Sequence, residues 1–186
     1  SMKSFFALCL LFPGVLFPQQ IVVTITGLYA GEAYISTITG EKIFPIDSIN
    51  SLGMGRFRFS LHPKYNHPGF YRLSFDKNRW IDFLNDGKEI AITTDANNIL
   101  DSLQVVSSES NRSFYSFVKL NKQFKTKTEL LQLVLARYPK DDEYYKTTQT
   151  TIIQIQNKYL DFIHSATETE PQSFVARYIR SAQLPI

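Results

Sequence analysis

Between Ser107 and Glu109 the hydrophobic period of this chain changes from two residues to between three and four, and that change decides what each half can become. Before it, apolar side chains alternate with polar ones. Ile21, Val23 and Ile25 alternate with Val22, Thr24 and Thr26, Gly27 to Gly31 reads as a turn, and Ala33 to Ile38 as a second strand. Thr39-Gly40 reads as a hairpin turn leading into Ile43 to Ile46, and Asp47 to Gly55 reads as a loop. The cleanest alternation follows: Phe57, Phe59 and Leu61 point inward while Arg56, Arg58 and Ser60 point outward, because a one-residue slip would bury two arginines. His62 to Gly69, with two prolines, reads as loop, and Tyr71, Leu73 and Phe75 then alternate with Arg72 and Ser74. Trp80 to Leu84 and Glu89 to Thr93 flank Asn85-Asp86-Gly87, whose Asp-Gly pair suits a type I′ hairpin. Leu103 to Val106 closes the sheet.

After Ser107-Ser108-Glu109-Ser110, a cluster suited to an N-cap, Phe114, Phe117, Val118 and Phe124 fall on one helical face. Thr126 to Thr128 is a candidate interruption, Leu130, Leu131, Val134, Leu135 and Tyr138 continue the stripe, and Pro139 ends it. Asp141 and Asp142 then sit where a helix N-terminus favours negative charge. Tyr145, Thr148, Ile152, Ile155, Tyr159 and Phe162 recur at spacings of 3, 4, 3, 4 and 3. Such a narrow seam fits either an intramolecular helical hairpin with Phe114 to Tyr138 or a homodimer interface. Pro171 suits the first turn of a last helix carrying Phe174, Val175, Tyr178 and Ile179, and the chain stops at Leu184-Pro185-Ile186 with no evident closing element. The fold class expected is α+β: an antiparallel β-sandwich-like part over residues 19–107, then an antiparallel helical segment of about three helices over residues 108–186. With 186 residues, 44% hydrophobic and 14% aromatic, the chain can bury a core without disulfide staples.

Residues 1–18 read as an address. Ser1 reads as an added residue ahead of a natural start at Met2, and Met2-Lys3 precedes an apolar run from Phe5 to Phe17 that is too short to span a bilayer. A secretory signal peptide is expected, with Gln19 or Gln20 as the new N-terminus and a periplasmic or cell-envelope location. The cleavage region at Phe17, Pro18 and Gln19 lacks small residues, and a lipoprotein reading through Cys9 would place bulky Leu8 where a small residue is wanted.

The single cysteine, Cys9, excludes a disulfide framework, a Cys-x-x-Cys pair and a multi-thiolate zinc site. A net charge of +3, with its basic excess after Glu109, is too weak a footprint for nucleic acid. His62 and His67 are five apart in a proline-containing loop with no third ligand nearby in sequence, so they read as solvated loop rather than metal site. His164 suits a helix C-terminus. Asp82 and Asp86 could be imagined as a glycosidase pair, but Asp82 belongs to the outward face of its strand and Asp86 to the turn. Lys119, Lys122, Lys125 and Lys127 read as a solvated helix face, with contact to anionic lipid or glycan as the sharper alternative. No serine lies in a Gly-x-Ser-x-Gly elbow, and no convergent set of reactive groups is legible, so neither a catalytic residue nor a cofactor or metal is expected. Trp80, Phe70 and Tyr65 are the candidate contact residues for a ligand or partner, as aromatics on the outer sheet face that could stack on a sugar or dock a protein.

The succession Ile25-Thr26-Gly27, Asp47-Ser48-Ile49, Gly55-Arg56-Phe57-Arg58-Phe59, Tyr71-Arg72-Leu73, Ile81-Asp82-Phe83-Leu84-Asn85-Asp86-Gly87 and Ile90-Ala91-Ile92 resembles an uncharacterised β-rich domain family, over roughly Gln20 to Leu120. Its members lie N-terminal to thioredoxin-like or alkyl hydroperoxide reductase-like domains in Gram-negative envelope proteins. A motif like Pro171-Gln172-Ser173-Phe174-Val175-Ala176-Arg177-Tyr178-Ile179 occurs between the two domains in such proteins. The resemblance implies a non-catalytic interaction or positioning module for a thioredoxin-like thiol-disulfide oxidoreductase domain, whose Cys-x-x-Cys this chain does not contain. The alternative expectation is a β-sandwich that binds a glycan or envelope polymer.

Overall fold

The computed structural model describes residues 18–29 and 31–186. The signal-segment reading and Cys9 therefore fall, apart from Pro18, outside the described residues. Eight strands form among the described residues: β1 (Ile21–Thr26), β2 (Glu32–Thr39), β3 (Lys42–Asn50), β4 (Arg56–Phe59), β5 (Gly69–Ser74), β6 (Trp80–Asn85), β7 (Ile90–Asp95) and β8 (Gln104–Ser107). A single turn, α1 (Ile99–Ser102), precedes β8, and three long helices follow: α2 (Glu109–Arg137), α3 (Glu143–Glu168) and α4 (Phe174–Ala182). The class is α+β, with the β-rich part first.

The strands divide into two four-stranded sheets, ordered β4-β1-β7-β8 and β3-β2-β5-β6. Their facing sides carry the alternation expected: Ile21, Val23, Ile25, Phe57, Ile90 and Ile92 from the first sheet meet Ile35, Tyr71, Leu73, Ile81 and Phe83 from the second, all essentially buried. Each such side chain contributes about 1.5–3 kcal/mol of transfer free energy, which locks the register of every strand that carries it. The aromatics interlock, Tyr71 stacking on Phe83 at 5.7 Å and Phe59 meeting Phe83 edge-on at 6.1 Å.

Two pairings depart from the antiparallel hairpin scheme. β1 and β7 run parallel, with Ile21 opposite Ile90 and Val23 opposite Ile92, and the five intervening strands serve as the crossover that a parallel pair needs. Asn85-Asp86-Gly87 does not close a hairpin, because β6 and β7 belong to different sheets. The turn chemistry is used to change sheets. Gly87 has φ +83° and its N–H donates to Asn85 Oδ1 at 3.1 Å. The fully buried Asn85 amide donates to Asn66 Oδ1 at 2.7 Å and accepts from Gln19 Nε2 at 2.8 Å, so it ties three segments at one corner.

β3 is longer than its alternation implies. Asp47 to Asn50 continue the ladder with β2, Ile49 opposite Ala33 and Asn50 opposite Glu32, past a register shift at Ile35/Ser36, and the turn is confined to Ser51–Gly55. Backbone pairing along an eight-residue partner strand outweighs the weak strand propensity of Asp47 and Ser48.

The helices form a third layer. Ser108 caps α2, its Oγ accepting from the Asn111 N–H at 3.2 Å, and Asp142 caps α3 by accepting from the Tyr144 N–H at 2.7 Å. Thr126 to Thr128 do not interrupt α2, because the Thr128 hydroxyl turns back to the Phe124 carbonyl at 2.8 Å. Pro171 lies ahead of α4 rather than in its first turn, and Ser173 provides the cap. α2 packs against β6 and β8, and α3 and α4 pack on α2, so sheet and helices share one contiguous core. The stripe thins toward the far end of the helical hairpin, where Leu130, expected inside, is 61% exposed.

Candidate functional site

The outward face of the second sheet is a grid that its registers define. Residues directly opposite on neighbouring strands share a face. Across β3, β2, β5 and β6, one row reads Ser48, Tyr34, Ser74 and Trp80, and the next reads Pro45, Ser36, Arg72 and Asp82. The third row, Ile43, Ile38, Phe70 and Leu84, runs under the helices at its β5 and β6 end.

On the open part of this grid, Arg72 binds Asp82 through two parallel hydrogen bonds, Nε to Oδ1 at 2.6 Å and Nη2 to Oδ2 at 2.9 Å. The hydrogen bonds to Asp82 raise the Arg72 pKa further. The same guanidinium lies 4.4 Å from the centre of the Trp80 ring. A planar cation thus clamps the indole in place while leaving the residue 40% exposed. Across Ser74 from Trp80, Tyr34 is 52% exposed and its hydroxyl donates to Glu32 at 3.2 Å. That hydrogen bond, with the Glu32 charge, raises the Tyr34 pKa. Two exposed aromatics therefore flank a small serine about 10 Å apart, two strand spacings.

The three aromatics expected to make contacts separate. Trp80 occupies this face. Phe70 is half-buried under the helices: α2 and α4 cover it, with Phe114, Phe174 and Tyr178 at 5.0, 5.6 and 4.9 Å. Tyr65 is not on the sheet face at all but in a one-turn 3-10 helix (Pro63–Tyr65) after β4, where its carbonyl accepts from the Tyr71 hydroxyl. It lines a cleft of about 300 Å³ with Ile35, Ile46, Asp47, Ser60, Leu61, His62 and Lys64. Tyr34, Arg72 and the cleft residues Asp47, Ser60 and Lys64 were not singled out by sequence pattern, because only the cross-strand register and the packing of the two sheets bring them together.

The remaining candidates are occupied locally. Asp86 accepts from Ser110 Oγ at 2.7 Å and from the Lys88 N–H at 3.0 Å, anchoring the sheet-changing turn to α2. Lys119 donates to the Leu103 carbonyl at 2.8 Å and Lys122 lies 3.7 Å from Asp101, so two lysines of the basic run are engaged with the chain itself. They border a second cleft of about 370 Å³ with Gln123, Thr126 and Lys127. His62 Nδ1 accepts from the Lys64 N–H at 3.2 Å, and His164, one turn before the end of α3, is 3.5 Å from Glu168. Among the described residues no group of three or more His, Cys, Asp or Glu could hold a metal ion, and no helix is long and apolar enough to cross a membrane. The seam of α3 is filled within the chain: Thr148, Ile152 and Tyr159 are buried, with Tyr145, Ile155 and Phe162 half-buried beside them. Tyr159 stacks on Phe124 at 4.3 Å, donates to Asn121 Oδ1 at 2.6 Å and accepts from the Leu184 N–H at 2.9 Å.

No protein-family model matches the chain, and no curated protein matches it.

Proposed function

We propose that this chain is a non-catalytic recognition and positioning module of the bacterial cell envelope, exported to the periplasm, whose partner is a thioredoxin-like domain joined to it or beside it. One observation carries the reading: Trp80 stands half-exposed on an open sheet face, held by an Arg72 that is itself bidentately paired to Asp82. Tryptophan and arginine are the side chains that most often dominate interface energies, and fixing them beforehand lowers the entropy cost of docking. The partner class comes from the family resemblance of Gln20 to Leu120 and of the Pro171 to Ile179 motif.

Trp80 is the only tryptophan, so its fluorescence reports directly on this face. Titration with a purified periplasmic thioredoxin-like domain is expected to shift its emission saturably, and Arg72→Ala is expected to weaken binding about tenfold or more. An unchanged emission, or reduction of a disulfide substrate by this chain alone, would overturn the reading. The Tyr34, Ser74 and Trp80 row favours a second reading, a glycan lying across two aromatics. Quenching by a soluble peptidoglycan fragment and not by the thioredoxin-like domain would replace the first reading with the second.

A further inference from the structure

We propose that the cleft between the β3 edge and the segment after β4 binds a free apolar α-amino acid, held as a zwitterion. This site is separate from the Trp80 face and does not depend on it. The cleft holds about 300 Å³, at the small end of small-molecule pockets. Its apolar wall is Ile35, 1% exposed, and Leu61, 7% exposed, with half-buried Ile46 beside them. Its polar groups come in both signs. Asp47 is on β3 and Lys64 on the 3-10 turn, both exposed, and neither takes part in an ion pair among the described residues.

The neighbouring polar atoms extend that complementarity. His62 Nδ1 is occupied as an acceptor of the Lys64 N–H, so the neutral ring carries its proton on Nε2, a donor for an anion. Ser60 Oγ spends its proton on the Gln19 carbonyl at 2.6 Å and offers only lone pairs, which suit an ammonium. The Lys64 ammonium lies 5.3 Å from the Tyr65 ring centre, so positive charge sits beside a second lining residue of the cleft. A ligand with an ammonium facing Asp47 and Ser60, a carboxylate facing Lys64 and His62, and an aliphatic side chain on Ile35 and Leu61 satisfies all of these groups. A pure anion would meet Asp47 and a pure cation would meet Lys64, and either would be repelled by one wall.

Backbone amide shifts of the full chain, titrated with L-leucine, N-acetyl-L-leucine and L-leucinamide, test this. Leucine is expected to shift the amides of Asp47, Ser60, Lys64 and Tyr65 saturably, with each blocked analogue at least tenfold weaker. Asp47→Asn should weaken leucine and, by removing the repelling charge, strengthen N-acetyl-leucine, while Lys64→Met should weaken leucine and strengthen leucinamide. Both positions are exposed, so both variants are expected to fold, with amide spectra matching the parent away from the cleft. Absence of saturable shifts at the cleft up to about 10 mM leucine, or equal binding of the three compounds, would overturn the proposal.

Discussion

The side-chain amide of Asn111 pairs with both backbone groups of Leu84, accepting from its N–H at 2.8 Å and donating to its carbonyl at 2.8 Å. Leu84 lies on β6, an edge strand of its sheet, and both residues are fully buried. One amide thus stands in for the strand that would otherwise be needed there, and Tyr115 continues the cover by donating to the Asp82 carbonyl. Burial drives the Tyr115 pKa far above its ordinary value, so this phenol stays a donor.

Asn111→Ala would leave two buried backbone groups unpaired, at about 1–3 kcal/mol each. A loss of about 2–5 kcal/mol in urea-unfolding free energy is expected, which for a domain of this size is a large share of its total stability. Asn111→Asp distinguishes hydrogen bonding from packing. It keeps the acceptor for the Leu84 N–H, places a charge where the amide donated, and should regain stability as pH falls toward the carboxyl's pKa and a donor proton returns.

Gly55 and Gly40 both have positive φ, +71° and +62°, but their surroundings differ. A Cβ on Gly55 would lie 2.0 Å from the Ile25 carbonyl oxygen, whereas one on Gly40 would meet nothing within 4 Å. The Gly55 carbonyl also accepts from the Ile25 N–H at 2.8 Å, holding the start of β4 against β1. Gly40→Ala is therefore expected to cost about 1–2 kcal/mol from backbone strain alone. Gly55→Ala should cost several kcal/mol, because a backbone oxygen inside a sheet cannot step aside. Thermal unfolding of the two variants side by side checks the difference.

The alternation of Phe57 with Arg58 and of Leu73 with Arg72 made the strands readable, since either register error would bury an arginine. The cap at Ser108 and the phase of Phe114, Phe117 and Phe124 made α2 readable in the same way. Sheet membership was not readable. Asp86-Gly87 carries the local chemistry of a tight turn whether the chain doubles back or crosses to the other sheet, and what decides is Asn85, whose amide is bonded to Asn66, Gln19 and the His67 carbonyl far along the chain. For the same reason Phe70, alternating like any outward aromatic, gave no sign of the helices that bury it. Tyr34 joined the Trp80 face only through a register running across β5.

The seam of α3 distinguishes two kinds of association. Ile152, 7% exposed, and Tyr159, 1% exposed, are covered within one chain. Ile152→Ala is thus expected to cost about 2–5 kcal/mol by leaving a cavity. The cost should not vary with protein concentration, whereas loss from a dimer interface would grow with concentration until parent and variant are both dimeric. Tyr159→Phe removes the hydroxyl bonded to Asn121 and to the Leu184 N–H and should cost about 1–3 kcal/mol. Burial raises the Tyr159 pKa, so this contribution holds below the ordinary tyrosine range and is lost as pH rises through the higher folded value.

At the acid end two carboxylates set the direction. Asp95 accepts from the Asn97 N–H at 2.8 Å and from Thr26 Oγ1 at 2.8 Å, and these bonds hold its pKa below the ordinary 3.8. Asp76 is lowered chiefly by its hydrogen bond to Arg79 and also by the Asn78 N–H. The fold favours the charged form of both. Their contribution is therefore complete above the unfolded-state value near 3.8 and is lost as pH falls through the lower folded values. Urea midpoints are expected to stay level from about pH 7 to pH 5 and to decline below about pH 4. Asp95→Asn retains an oxygen for the Asn97 N–H but cannot titrate, so its decline should be shallower than the parent's. A parallel decline in variant and parent would mean that the acid sensitivity comes from elsewhere than the Thr26, Asp95 and Asn97 corner.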